Sequence, residues 1–478
     1  MTDASFKQSR PINLDFDFQA KPLMHYPTTY PTWNEQIPLQ ANWPAPGCFA
    51  ELEFTGWRDE GIAKHETVSI SNYLSPAPPV LRITGPDAIR FFEDHMVNGF
   101  KKWPIGRAKQ AIMCNDDGNM IMQGILYRLG EQEFEAQCLM TLPYIYARDG
   151  ADYDMTVEDV TQKRFMMQTS GKNTLPMFEE LCKCDLHDLK YCYLTNADVD
   201  GRPVRLYRFG MTGSIGYEIS GNVEDANYVY KRILEVGQKY GIRRMGARAY
   251  TMNHTPGGFL QYGMHYLNAI MDDPGYQEAM RQQNAIAGLA IPIVGSYDGP
   301  HQGLFANPIE YGCANVVKFN HEFPGKAALE KIAANPTKKM VTLEWNPDDL
   351  ADIYRSQFSD REPYMPMDLP CDGFETGTQS LHADWVLDGE GNHIGISTHR
   401  THDAFFRTTL SLCAIDINYS EEGTEVGIVW GTPDYRQKVV RAKVTRFPYN
   451  NHLSNRTFDM ESVPRPGYPA PAARDHFE

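Results

Sequence analysis

Residues 205–219 read Arg-Leu-Tyr-Arg-Phe-Gly-Met-Thr-Gly-Ser-Ile-Gly-Tyr-Glu-Ile. The three glycines, spaced three residues apart, indicate a tight loop, because glycine adopts backbone conformations that other residues avoid. The loop leads into a short apolar segment that carries one carboxylate, Glu218. A carboxylate held on a rigid strand can accept two hydrogen bonds from a flat heterocycle with adjacent ring N–H and amino groups, as in guanine or a pterin. The alternative is a glycine turn followed by a surface glutamate, and this segment alone fits both.

The composition excludes several classes of protein. The chain has 478 residues, of which 42% are hydrophobic, which is enough for two or three domains with their own cores. The net charge of −16 argues against nucleic acid or an anionic membrane as a partner. No apolar run reaches the ~18 residues of a membrane helix, and the N-terminus lacks the apolar core of a signal peptide. Together with nine scattered cysteines, these features predict a cytoplasmic protein.

The composition and hydrophobic pattern change along the chain and predict four parts. Residues 1–47 are rich in proline and aromatics and are expected to wrap over a folded body. Residues 48–335 alternate helix and strand signals, whereas residues 336–450 contain short β-like runs separated by turns, as in a barrel or sandwich. Residues 451–478 are proline-rich and are expected to form an extended tail. The predicted fold class is therefore α+β followed by a smaller β domain.

Two motifs have the residue types of a metal site without the partners that such a site needs. Cys182 and Cys184 form the only close cysteine pair, and His399 and His402 are three residues apart. A zinc site needs about four ligands at suitable spacing, and none are evident near either pair. We therefore expect no metal.

Four separated segments together resemble the folate-dependent aminomethyltransferase superfamily, typified by the T-protein of the glycine cleavage system. The resemblance spans roughly residues 50 to 450, and within the superfamily the chain is most similar to the tetrahydrofolate-dependent O-demethylases of vanillate type. It implies a three-lobed fold, in which two related α+β lobes surround the folate and a C-terminal β-barrel completes the structure. The segments are Gly-Tyr-Glu-Ile at 216–219, Gly-Ala-Arg-Ala-Tyr at 246–250, Asn-Pro-Ile-Glu-Tyr-Gly at 307–312 and His-Ile-Gly-Ile-Ser at 393–397.

The resemblance implies a methyl transfer from an aryl methyl ether to N5 of tetrahydrofolate, with Tyr250 as the catalytic residue. A phenolate leaving group has a conjugate-acid pKa near ~10, so its oxygen must be protonated as the C–O bond breaks, and a tyrosine has a matching pKa. The alternative for Tyr250 is a core tyrosine bonded to a backbone carbonyl. The cofactor-binding residues are expected to be Glu218, Tyr217, Asn253 and Phe259, with Phe259 stacking beside the folate.

The expected substrate-binding residues are Tyr26, Tyr73, Leu139, Tyr191 and His254, the last by proximity alone. In the vanillate-type enzymes a histidine and an arginine hold the substrate carboxylate. Here the histidine position falls at Pro76 or Ala77 and the arginine position at Leu139, although Arg128 or Lys109 could replace them. Because a buried carboxylate without a cation is costly, the sequence predicts a methoxyarene without a carboxylate near its ring.

Three other functions stay open at this point. The same fold could open a methylenedioxy ring or demethylate a sulfonium, and a folate-binding protein without turnover would have a similar sequence. Whether the chain forms a homo-oligomer is likewise left open by the sequence.

Overall fold

The structure is a computed structural model. It describes residues 53–71, 80–282, 291–372, 380–471 and 477, without the side chain of residue 162, together with the backbone of four short strands near the N-terminus. These strands form two antiparallel pairs, β1 (Gln19–Ala20) with β2 (Pro27–Thr28) and β3 (Gln40–Asn42) with β4 (Phe49–Glu51). Helix α1 (Trp57–Glu66) and strand β5 (Val68–Ser71) follow.

The first lobe is a five-stranded sheet with two helices. Aromatic side chains from α2 and β9, among them Phe91, Phe92 and Phe134, form its core. Its elements are β6 (Val80–Thr84), α2 (Ala88–His95), β7 (Ala108–Cys114), β8 (Met120–Arg128), β9 (Glu133–Gln137), α3 (Leu142–Asp149) and β10 (Thr156–Asp159). The strand order is β10-β6-β9-β8-β7.

The second lobe repeats this arrangement. Its elements are β11 (Arg164–Ser170), α4 (Thr174–Cys182), β12 (Leu194–Val199), β13 (Arg202–Tyr207), β14 (Gly216–Asn222), α5 (Ala226–Gly237) and β15 (Ile242–Met245). The strand order is β12-β13-β14-β11-β5-β15, so only β5 interrupts the order seen in the first lobe. Both lobes therefore share the β-α-β-β-β-α-β unit.

The two sheets meet in a two-fold-like junction between the starts of β7 and β12. The amide of Ala108 donates to the carbonyl of Cys192 (2.9 Å), and the amide of Leu194 donates to the carbonyl of Gly106 (2.7 Å). Equivalent residues of the two lobes thus exchange equivalent hydrogen bonds. The junction holds the inner faces of the sheets close together, so side chains from one lobe can reach residues of the other.

The third part is a closed barrel of six strands, β17 to β22. Its closure follows from the pairing of β18 with both β19 and β21, and Trp345 and Trp430 pack inside it. Between the second lobe and the barrel lie α6 (Ala247–Thr251), α7 (His254–Gly257), α8 (Pro274–Gln282), β16 (Ile293–Val294) and α9 (Lys326–Ala334). The barrel contains β17 (Lys338–Trp345), α10 (Pro347–Ser356), β18 (Leu381–Leu387), β19 (His393–Asp403), β20 (Thr408–Asp416), β21 (Glu425–Trp430) and β22 (Lys438–Thr445).

The chain after the barrel returns to the second lobe. The amide of Ile215 donates to the carbonyl of Leu453 (2.7 Å), and the amide of Asn455 donates to the carbonyl of Gly213 (2.9 Å). This segment therefore runs along the glycine-rich loop that precedes β14. The predicted α+β fold, with two related lobes and a C-terminal barrel, is confirmed. No helix in the described part of the chain is both long and apolar enough to cross a membrane.

Candidate functional site

Glu218 lies at the interface between the two sheets and is 6% exposed. Its Oε1 accepts a hydrogen bond from Gln168 Nε2 (3.0 Å), and its Oε2 accepts one from the Tyr127 hydroxyl (3.2 Å), which comes from the other lobe. Burial raises the pKa of Glu218 to about 7, although these two bonds oppose the shift. A buried carboxylate held by neutral donors is poised to gain more from N–H groups of a ligand than one already neutralised by a cation.

Glu135 is the equivalent residue of the first lobe, and its surroundings differ from those of Glu218. Glu135 pairs with Tyr127 and Arg82 in the first sheet as Glu218 pairs with Tyr207 and Gln168 in the second, so the two glutamates occupy equivalent positions. Burial opposes ionisation of Glu135, but its ion pair with Arg205 lowers its pKa overall. Among the described residues no cation forms an ion pair with Glu218. Of these two equivalent glutamates, only Glu218 is therefore buried without an ion pair among the described residues.

A line of aromatic rings connects Glu218 to Tyr250. The ring centroids of Tyr127 and Tyr207 are 5.1 Å apart, and those of Tyr207 and Phe209 are stacked at 5.2 Å. The line continues from Phe209 to Phe259 (6.0 Å), from Phe259 to His254 (5.9 Å) and from His254 to Tyr250 (5.3 Å). Flat rings at these distances suit a planar heterocycle, because aromatic groups stack or meet edge to face at ~4.5–7 Å.

Tyr250 is 5% exposed and lies on the short helix α6. The start of α6 is fixed by Glu60, a fully buried residue of α1 whose Oε2 accepts a hydrogen bond from the amide of Gly246 (2.8 Å). The Tyr250 hydroxyl points to Met211 Sδ at 3.5 Å. The hydroxyl therefore faces the glycine-rich loop, and the ring of Tyr250 contacts the ring of His254.

His254 is neutral at physiological pH. It is 1% exposed, and burial lowers its pKa to about 4. Its Nδ1 lies 3.2 Å from the carbonyl of Thr251 and must donate to it, since a carbonyl only accepts. The neutral ring then carries its lone pair on Nε2, where it can accept a hydrogen bond from a ligand hydroxyl.

The glycine-rich loop packs backbone against backbone on α7. A Cβ atom at Gly257 would lie 2.3 Å from the carbonyl oxygen of Met211, so no larger residue fits without moving the loop. Gly213 adopts a positive φ of 78°, which an L-residue rarely tolerates. The glycine pattern in the sequence thus has two causes, a left-handed turn and a close approach, and both keep Met211 beside Tyr250.

We expect Gly257→Ala to lower both stability and turnover. The added methyl overlaps the Met211 carbonyl, and relief of the overlap must shift the loop that faces Tyr250, so we expect a loss of about 2 kcal/mol in the free energy of unfolding. Denaturant unfolding and initial rates measure the two effects. Gly389→Ala is the matched control, because a Cβ there would meet nothing within 4 Å. Equal stability and rates for the two variants would contradict this account of the loop.

The structure brings together some of the residues expected at the site and separates others. Glu218, Tyr250, His254, Phe259 and Tyr191 belong to the aromatic line or contact it, Tyr191 through its stacking on Phe209 at 5.9 Å. Tyr26 and Tyr73 fall outside the described residues.

Three further predicted site residues do not belong to the aromatic line: Asn253 lies next to it, and Tyr217 and Leu139 lie in the cores of the lobes. Asn253 is 1% exposed next to His254, and its Oδ1 has no hydrogen-bond partner among the described residues. Tyr217 points to the opposite face of β14 from Glu218, into the core of the second lobe, where it meets Phe178 at 5.6 Å. Leu139 is fully buried in the core of the first lobe. Tyr217 and Leu139 are therefore placed to stabilise the lobes rather than to contact a ligand.

Sequence reasoning missed Tyr127, Gln168, Tyr207 and Phe209. Tyr207 and Phe209 stand in the quoted stretch immediately before the glycines, two residues apart, so a strand would project both rings to one face. That signal was available. Tyr127 and Gln168 reach Glu218 from positions 91 and 50 residues away, and no local pattern identifies them.

One cluster has the residue types of a metal site. Ligand atoms of Glu179, Asp185 and His187 lie within 4.8 Å of one another. His187 Nε2 is 3.0 Å from the carbonyl of Val463, and Nδ1 is 2.8 Å from Glu179 Oε1, so both ring nitrogens act as donors. Burial alone would lower the pKa of His187, but these bonds raise it, which favours the imidazolium. His187 thus ties the segment after the barrel to the second lobe through its bonds to Val463 and Glu179.

Fold and site together define a class: an α+β protein with duplicated lobes, a C-terminal barrel and a buried carboxylate beside stacked rings. The family model for the GCVT N-terminal domain matches residues 26–270. A sesamin methylene transferase from Sinomonas sp. is 34% identical over 87% of this chain and 94% of its own length. A syringate O-demethylase from Sphingobium sp. is 28% identical over 83% and 89%. The crystal structure of aminomethyltransferase T from Bartonella henselae shares the fold, with a TM-score of 0.64 at 15% identity over 88% of this chain and 96% of that one.

The chain belongs to the GCVT family and is a tetrahydrofolate-dependent enzyme of the methyl- and methylene-transferring kind. The donors and acceptors of the site fit tetrahydrofolate. Glu218 offers two acceptor oxygens without a cation, and the buried Oδ1 of Asn253 lacks a donor. A reduced pterin supplies adjacent N–H and amino groups, so it would satisfy acceptors of this kind.

Proposed function

We propose that the protein is an O-demethylase that transfers the methyl group of a methoxylated aromatic compound to tetrahydrofolate. The observation that carries this proposal is the aromatic line that joins the carboxylate of Glu218, which forms no ion pair among the described residues, to the hydroxyl of Tyr250. Glu218, with Asn253, would hold the pterin, and Phe259 and Phe209 would contact its faces or those of the substrate. When bound, tetrahydrofolate supplies a nucleophilic nitrogen that accepts the one-carbon unit.

The role of Tyr250 is to donate a proton to the departing aryl oxygen. An unprotonated phenolate is a poor leaving group at neutral pH, because the pKa of phenol is near ~10. A tyrosine of similar pKa delivers its proton as the bond breaks without having to be a strong acid. The low exposure of Tyr250 excludes water, which strengthens this hydrogen bond.

Neutral, phenolic methoxyarenes suit the described part of this site best. His254 offers an Nε2 lone pair that can accept from a phenolic hydroxyl ortho to the ether. His254 is uncharged, so it places no cation where a ring carboxylate would need one. Tyr26 and Tyr73 remain proposed substrate contacts on the strength of the resemblance alone.

A second candidate reaction is the opening of a methylenedioxy ring with transfer of a methylene unit. The specific support is the 34% identity to a sesamin methylene transferase, which exceeds the 28% to the syringate O-demethylase. The leaving atom is an aryl oxygen in both reactions, so Tyr250 would have the same role. The two reactions differ in the oxidation level of the carbon that the folate receives.

A turnover assay with tetrahydrofolate and four aromatic compounds tests the proposal. Guaiacol, vanillate, syringate and sesamin are incubated with the enzyme, and the folate product is identified by mass as the methyl or the methylene form. We expect guaiacol to be demethylated faster than vanillate, with methyltetrahydrofolate formed in equal amount to the new phenol. Faster turnover of vanillate would refute the preference for neutral substrates. Methylene product from sesamin, without turnover of any methoxyarene, would favour the second candidate.

A further inference from the structure

The aromatic line branches at Phe209, and its third branch ends at an arginine. Tyr191 stacks on Phe209, and the guanidinium carbon of Arg456 lies 5.8 Å from the centroid of the Tyr191 ring. One branch from Phe209 thus leads to Glu218, one to Tyr250 and one to Arg456. Arg456 is exposed, so this branch is open to solvent, whereas the other two end in buried groups.

The backbone beside Arg456 is held firmly. Asn455 is 2% exposed, and its Oδ1 and carbonyl oxygen accept hydrogen bonds from Arg208 at 3.1 and 3.0 Å. Its Nδ2 donates to the carbonyl of Gly216 (3.2 Å), at the end of the glycine-rich loop. Arg456 is therefore projected from a fixed point next to the site, although it belongs to the segment after the barrel.

The charge of Arg456 has no opposite partner within the described residues. No Asp or Glu among the described residues forms an ion pair with it, and its main interaction is a hydrogen bond to the Tyr191 hydroxyl, with Cys192 and Cys313 nearby. A guanidinium is always charged and presents a planar fork of donors that fits a carboxylate. A cation without an acidic partner at the solvent end of the aromatic line is suited to an anionic group of a ligand that lies along these rings.

We propose that Arg456 binds a carboxylate at the mouth of the site. This inference rests on the proposed function and deepens it. Two ligands could supply the carboxylate: the glutamyl end of tetrahydrofolate, or an acid substituent on the aromatic substrate. The glutamyl end fits the geometry better, because the cofactor would then extend from the buried Glu218 past Phe209 to solvent. The segment after the barrel would then contribute a cofactor-binding residue that neither lobe provides.

Binding titrations on the full-length protein test the assignment without relying on turnover. The dissociation constants of tetrahydrofolate and of 6-methyltetrahydropterin, which lacks the p-aminobenzoylglutamate, are measured by calorimetry for wild type, Arg456→Ala and Arg456→Lys. Syringate and its decarboxylated analogue 2,6-dimethoxyphenol form the substrate arm. Arg446→Ala is the matched control, because Arg446 is also exposed and lies over a tyrosine ring (4.7 Å to Tyr449) outside the aromatic line.

We expect Arg456→Ala to weaken tetrahydrofolate binding by about fivefold, as for a partly exposed charge pair, and to leave 6-methyltetrahydropterin binding unchanged. The effect should shrink in high salt, and Arg456→Lys should restore part of it. Weakened syringate binding with unchanged tetrahydrofolate binding would assign the carboxylate to the substrate. Equal losses for ligands with and without a carboxylate, or no loss for any, would overturn the inference while leaving the proposed function intact. Wild-type protein that fails to bind tetrahydrofolate would overturn both.

Discussion

Tyr250→Phe is expected to reduce the turnover of a methoxyarene by roughly two or more orders of magnitude while tetrahydrofolate still binds with near wild-type affinity. The variant keeps the ring that meets His254 at 5.3 Å, so the packing of the site is preserved. It removes only the hydroxyl that would protonate the aryl oxygen, and loss of a general acid costs about 10²–10⁴ in rate. Stopped-flow single-turnover rates separate this chemical step from binding.

A second tyrosine variant shows whether the effect belongs to the site. Tyr276→Phe changes a tyrosine in the core of the first lobe that is 7% exposed, close to the 5% of Tyr250. We expect its turnover to match wild type. If Tyr250→Phe retained more than about half of the wild-type rate, Tyr250 would be a structural tyrosine. Loss of tetrahydrofolate binding in Tyr250→Phe would instead assign the hydroxyl to the cofactor.

Glu218→Gln is expected to weaken tetrahydrofolate binding by about a hundredfold. The amide presents one acceptor where the carboxylate presents two, and its NH₂ group would face the donors of the pterin, which leaves buried donors unpaired. Because the pKa of Glu218 is raised to about 7, wild-type binding should also weaken as the pH falls below 7. Calorimetric titrations between pH 5.5 and 8.5 measure both effects. Glu224→Gln, an exposed carboxylate of the same lobe, is the control.

The same substitution is expected to stabilise the protein without ligand. The pKa of Glu218 is higher in the folded than in the unfolded state. The free energy of unfolding therefore decreases as the pH rises from about 4.5 to 7, because ionising the buried carboxyl is unfavourable. Above pH 7 the cost for a buried group with this shift is about 3 kcal/mol. Glu218→Gln should therefore unfold at a higher temperature than wild type at pH 8 and at a similar temperature at pH 5. A lower unfolding temperature at pH 8 would show that Glu218 stabilises the interface between the lobes.

The sequence indicates best those turns and loops whose conformation depends on a few neighbouring residues. The turn Asn115-Asp116-Asp117-Gly118 joins β7 to β8 and consists of residue types that favour turns in any sequence; the amide of Asn119 donates to Asn115 Oδ1 there at 2.9 Å. The glycine-rich loop and the strand that follows it were likewise visible in the sequence, because glycine at close approaches and at positive φ has few substitutes. The three-lobed architecture came from the resemblance, since neither periodicity nor composition indicates that β18 pairs with both β19 and β21.

The site was predicted only in part, because its residues converge through contacts between lobes. Glu218 and Tyr250 were predicted from the sequence and stay predictions, whereas the partners of Glu218 depend on the junction of β7 with β12, which no local pattern encodes. Tyr217 does not share the face of Glu218, because side chains alternate along a strand and neighbouring residues point to opposite faces. Nothing in the sequence around Arg456 indicates a place beside the site, because residues 451–478 have the composition of an extended tail.

The dependence of rate on the leaving group tests the central claim most directly. Single-turnover rates are measured for a series of ring-substituted guaiacols whose product phenols differ in pKa, with wild type and with Tyr250→Phe. If Tyr250 protonates the departing oxygen, little charge develops there, so wild-type rates should depend weakly on the phenol pKa and Tyr250→Phe rates steeply. Equal slopes for the two proteins would contradict proton donation by Tyr250.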